Sequence, residues 1–163
     1  MNTLHLTLFL ILTSTIFAYL ETQIEGSDGW AQNLPTWRQK INDFELTGYH
    51  LSIWIFLFLI MHFPALFVDN WTVKKECYVL SFFFLFLLCE DTLWFKINDN
   101  FNGDDYWRHP KFLNAPYFFY LCSLLVIFFS YIACQSDWPE FNNEGHNWFY
   151  VSLFTLFLNF ISY

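Results

Sequence analysis

The chain has 163 residues, of which 56% are hydrophobic, 25% aromatic and only 13% charged. A water-soluble domain carries about a quarter charged residues, so this balance excludes an ordinary globular protein. Fifteen acidic residues against seven basic ones give a formal net charge of -8, which excludes a nucleic-acid partner because phosphate binding needs a basic stripe. No polybasic run offers itself to anionic headgroups either. Long charge-free apolar runs predict an all-α integral membrane bundle of four to five transmembrane helices, one membrane domain over 1–163 with the lipid bilayer around it.

The first span covers Leu4 to Leu20. It lacks the basic flank and small-residue cleavage site of a signal peptide and reads as a retained helix. Glu21 and Glu25 follow one helical turn apart and face the same way if the helix continues. Gly26 to Gly29 breaks it. Leu34, Trp37, Ile41 and Phe44 then recur at three- and four-residue steps, with Pro35 suited to a first turn. That pattern predicts an amphipathic helix over Pro35 to Glu45, lying in the interface or packed on the bundle.

The second span is Gly48 to Val68, with His50 near its start, His62 near its end and Pro64 placed to kink the last turns. The third runs from Glu76 to Lys96 and contains Glu90 and Asp91. Asn70-Trp71-Thr72 matches a glycosylation sequon, but it lies so close to two membrane helices that no modification is expected. A polar loop, Ile97 to Ala115, carries Asn102-Gly103 as its turn signal. The fourth span is Pro116 to Cys134. After an acidic loop, Gln135 to Asn147, the last apolar segment runs from Trp148 to Tyr163; it either spans or lies against the bundle.

Lysine and arginine placement sets the orientation. Arg38, Lys40, Lys96, Arg108 and Lys111 fall in the loops after spans one and three, against Lys74 and Lys75 on the other side. The first and third loops are therefore expected in the cytoplasm, the N-terminus outside. Trp71, Trp94, Trp107 and Trp148, at segment ends, read as an interfacial belt. Cys77, Cys89, Cys122 and Cys134 form no C-x-x-C pair and read as small packing residues, their pairing by depth being no proof of disulfide reach.

This connectivity places Glu21, Glu25, His50, Glu90, Asp91 and His109 on one side of the membrane. Intramembrane acids are costly and by default mark a site with a partner. Carboxylates and imidazoles from separate helices are how bundles hold iron, manganese or zinc, so Glu21, Glu25, His50, Glu90 and Asp91 are the candidate metal ligands. Glu90 shares a helical face with Trp94, whereas Asp91 points about 100° away, so Glu90 leads. Lys96, six residues on, is roughly 9 Å along the axis, which predicts a site near the interface and only partly buried. No E-x-x-H, H-E-x-x-H or histidine-rich box is present. His50 and His62 are about 120° apart around their helix, which argues against two stacked haems. Asn98, Asn100, Asn102, Gly103 and His109 fall at calcium-loop positions, but the first should be Asp and the last Glu.

The stretches from Ile24 to Trp37, Leu46-Thr47-Gly48-Tyr49-His50 and Glu90-Asp91-Thr92-Leu93-Trp94-Phe95 resemble a group of small, uncharacterised prokaryotic membrane proteins. The likeness covers the first two thirds of the chain, fading after about Pro110. It implies a polytopic protein of a bacterial or archaeal plasma membrane and supplies no activity. Three functional readings stay open. The first is a cytoplasmic-face metal or acid–base site, where a metal would activate water or oxygen and an acid would move protons. The second is an accessory or assembly subunit, with a membrane-protein partner or a second copy. The third is a proton-coupled carrier.

Overall fold

The computed structural model describes residues 3–41, 44–99, 111–112, 115–134 and 142–161. The described residues form five α-helices: α1 (Thr3–Glu25), α2 (Gly48–His62), α3 (Val73–Ile97), α4 (Tyr117–Cys134) and α5 (Asn142–Ile161). Among the described residues four stretches, Leu4–Glu25, Gly48–Leu66, Val73–Ile97 and Tyr117–Cys134, are long and apolar enough to cross a membrane. The turn at Asn102-Gly103, Trp107, Arg108, His109 and most of the acidic loop lie outside the described residues.

Helix α3 is the core of the bundle. Of its most apolar window 56% is buried, against 11% for the second span. It packs against α1 and α4 and also touches α2 and α5. Small residues let the backbones approach: Ser14 and Ala18, one turn apart on α1, are fully buried, the small-xxx-small spacing that allows helix backbones close contact. On α4, Ser130 is likewise buried, and its hydroxyl lies 3.4 Å from that of Ser152 on α5. Leu85, Leu88 and Val126 fill the space between.

Local chemistry sets the helix ends. Glu25 is the last residue of α1, and Gly26 follows in the left-handed region (φ 70°), the usual way a helix stops. Thr47 and Thr72 cap α2 and α3, each hydroxyl accepting a backbone N–H three residues on. At Pro64, α2 tightens into a 3₁₀ turn, Phe63–Leu66, as a ring without an N–H requires. Asn98 Nδ2 donates to the Gly26 carbonyl at 2.9 Å, so α1 and α3 end side by side.

Two expectations are corrected. Pro35 to Glu45 is no amphipathic helix: Arg38–Ile41 (β1) and Phe44–Thr47 (β2) pair as an antiparallel hairpin with Ile41 opposite Phe44. Asn42-Asp43, between them, are residue types that favour tight turns, and Trp37 and Ile41 are exposed rather than joined in a buried stripe. Trp148 is no belt residue either. It has 0% exposure, its indole N–H donates to Ser81 Oγ at 2.9 Å and it stacks on Phe82. Helix α5 begins upstream of it, in the polar stretch read as loop. A second two-residue pairing, Lys111–Phe112 (β3) with Ala115–Pro116 (β4), precedes α4.

Candidate functional site

The joined ends of α1, α2 and α3 enclose the acidic residues. Continuation of α1 to Glu25 puts Glu21 and Glu25 on its inner face, at 7% and 6% exposure. Glu90 on α3 is 4% exposed, so the expectation of partial burial is corrected. Proximity to Lys96 along the helix misled it, because the loop and hairpin after α1 cover this end of the bundle. Asp91, about 100° round the helix, is half-buried and lies in electrostatic reach of Cys122 on α4.

All five candidate residues meet at this end, and the structure sorts them into two groups. Glu25 and His50 form a buried pair, Oε1 to Nε2 at 3.2 Å. The same Glu25 oxygen accepts the Ala31 N–H at 2.7 Å. Thr47 Oγ1 accepts the His50 N–H at 3.2 Å and stands 2.6 Å from Nδ1. With Nε2 facing a carboxylate and Nδ1 a hydroxyl, each ring nitrogen has a partner and the imidazole is fixed. Trp30 stacks on that ring, centroids 4.0 Å apart, and its indole N–H donates to the Glu45 carbonyl at 2.8 Å. Arg38 holds the loop and hairpin together, its guanidinium reaching the Ala31 and Gln32 carbonyls and pairing with Glu45 at 2.6 Å. This group closes the end of the bundle.

The second group is carboxylic. Glu21 and Glu90 lie within hydrogen-bonding reach of each other, and the Tyr49 hydroxyl donates to Glu21 Oε1 at 3.4 Å. Glu90 Oε1 is buried and has no hydrogen-bond partner among the described residues. Ionised carboxylates are acceptors only, so two that meet need a proton or a cation between them. Glu21, Glu90, Asp91 and His50 line a cavity of ≈ 20 Å³ walled by Trp30 and Trp54, room for about one water molecule. No organic substrate fits it.

Among the described residues, no three His, Cys, Asp or Glu side chains stand in a geometry that holds a metal ion. Glu21, Glu25, His50, Glu90 and Asp91 are neighbours at this end of the bundle. None of the four cysteines is in a disulfide.

Sequence reasoning missed Thr47, Trp30 and Tyr49. Thr47, directly before an apolar run, carries the signal of an N-cap; Trp30 and Tyr49 carry none. It also missed Glu76 at the far end of the bundle, which accepts from Trp71 Nε1 at 2.8 Å and lies 2.9 Å from His62 Nε2. Comparison with family models, with curated proteins and with solved structures finds no match to this chain.

Proposed function

We propose that this chain is a small polytopic membrane protein whose Glu21, Glu90 and Asp91 form a buried acid–base site that takes up and releases a proton. The observation that carries the reading is Glu90: buried, with Oε1 unpartnered among the described residues and Glu21 in reach across a water-sized cavity. Intramembrane acids in such a setting are a recognised means of moving protons. Glu25, His50 and Thr47 serve as the frame that positions the covering loop. The exposed apolar residues of α1, α2 and α4, among them Leu12, Phe56 and Leu124, suit a lipid surround, and the lysine and arginine distribution favours the cytoplasmic side for the site.

Infrared difference spectroscopy of the detergent-purified chain tests this. A protonated carboxyl C=O band is expected in the wild type and is lost in Glu90→Gln; a spectrum that the substitution leaves unchanged removes the reading. Proton uptake by proteoliposomes, abolished by the same change, would mark a carrier rather than a resident acid. The second reading, an assembly subunit, draws on the little-buried α2. It expects Glu90→Gln to weaken stability or association with no proton band in either protein.

A further inference from the structure

We infer that the cavity between Glu21, Glu90 and Asp91 also binds a small monovalent cation of about the size of a water molecule. The inference rests on the acid–base reading of the same site and names a second occupant for it. Glu90 offers a buried carboxylate oxygen with no hydrogen-bond partner among the described residues. Glu21 and Asp91 add hard oxygen donors around the same space, the ligand type that hard cations prefer. His50 is already engaged by Glu25 and Thr47, and no lysine or arginine among the described residues lines the cavity. Among the described residues, the negative charge of the cluster therefore has no lysine or arginine within the cavity to balance it.

Size and charge narrow the class. A space of ≈ 20 Å³ admits one ion stripped of most of its water and no polyamine or organic amine. Calcium takes six to eight oxygens and magnesium a near-ideal octahedron, whereas these carboxyls surround the cavity without three converging on one point. A singly charged ion tolerates that looser arrangement. A proton and a monovalent cation carry the same charge, so either one relieves the Glu21–Glu90 contact. The site is then an exchange site rather than a chelate.

Thermal unfolding of the full chain in detergent tests the inference. Lithium, sodium, potassium and ammonium chlorides are titrated at constant ionic strength against N-methylglucamine chloride, whose cation is too large to enter. At least one of the four is expected to raise the unfolding temperature saturably, as a ligand of the folded state does, and the comparison separates alkali ions from ammonium. The shift is expected to vanish in Glu90→Gln and Asp91→Asn and to persist in Glu76→Gln at the opposite end. Each variant is read against its own N-methylglucamine baseline, so a destabilised one still reports. Four curves that superimpose on N-methylglucamine, or a shift that survives both site substitutions, overturn the inference. If the carboxyl proton band is present and no cation is distinguished, only this inference falls; if the band is absent as well, both fall.

Discussion

His50 illustrates how one side chain can be fixed from four directions. Glu25 holds Nε2, Thr47 faces Nδ1, Trp30 stacks on the ring at 4.0 Å and Tyr49 meets it edge-on at 5.2 Å. Thr47 is the economical point of attack, because its hydroxyl both caps α2 and meets the ring. Thr47→Val keeps the shape and removes both bonds. It is expected to lower stability by about 1–2 kcal/mol, with Thr47→Ser restoring most of the loss; thermal unfolding of the two variants checks this. Equal stability of wild type and Thr47→Val would mean that neither bond counts. Glu90 is the opposite case, with one buried oxygen, Oε1, that has no hydrogen-bond partner among the described residues. Replacing it by Gln is expected to leave the fold intact while removing the proton band, since an amide is nearly isosteric with the carboxyl.

At the scale of elements, the two glycines after α1 separate backbone strain from steric crowding. Gly26 (φ 70°) has open space where a Cβ would stand, whereas a Cβ on Gly29 (φ 59°) would sit 2.7 Å from Trp94 Cη2. Gly26→Ala is expected to cost about 1 kcal/mol, the left-handed penalty alone. Gly29→Ala is expected to cost clearly more, because α1's exit loop must also move off the α3 indole. Denaturant unfolding that ranks the two equally would count against that contact. The long apolar helices were legible from length and apolar content, as was the break at Gly26, because each is one continuous apolar run and a glycine ends the first. The hairpin was not. Its four-residue strands are too short to show a two-residue alternation, and Leu34, Trp37, Ile41 and Phe44 fall at helical spacing by accident of where loop and strands meet. Trp148 was misread for a different reason. Its role depends on Ser81, 67 positions away, which no local pattern encodes.

Over the whole molecule, burial is concentrated on α3 and thin on α2. Leu85 on α3 has 0% exposure and Leu59 on α2 has 61%. Leu85→Ala is therefore expected to cost about 2–5 kcal/mol through the cavity it leaves, and Leu59→Ala less than about 0.5 kcal/mol. Thermal unfolding of the two variants measures the contrast; similar losses would place a packing partner on α2. The meeting of Glu21, Glu25, His50, Glu90 and Asp91 at one end was legible, since connectivity alone puts the end of α1, the start of α2 and the end of α3 together. Their division into a His50 clasp and a carboxylic cavity was not, because it depends on the loop that brings the Ala31 N–H and the Trp30 ring over them.

That loop makes its turn at a cost. Trp30 and Ala31 stand in succession in the left-handed region, at φ 46° and 52°, a conformation that costs a residue with a side chain roughly 1–2 kcal/mol. Trp30 must bear it, since its ring is what covers His50. Ala31 contributes its backbone N–H and carbonyl, which would survive loss of the methyl group, and a methyl group that is itself buried. Ala31→Gly is thus expected to raise stability by at most a few tenths of a kcal/mol, once the lost burial of the methyl group and the added freedom of the unfolded chain are counted; a clear fall in unfolding temperature would show the turn to be relaxed. The least constrained amino acid would here produce the firmer protein, and the lid over the carboxylates is a spring held under load.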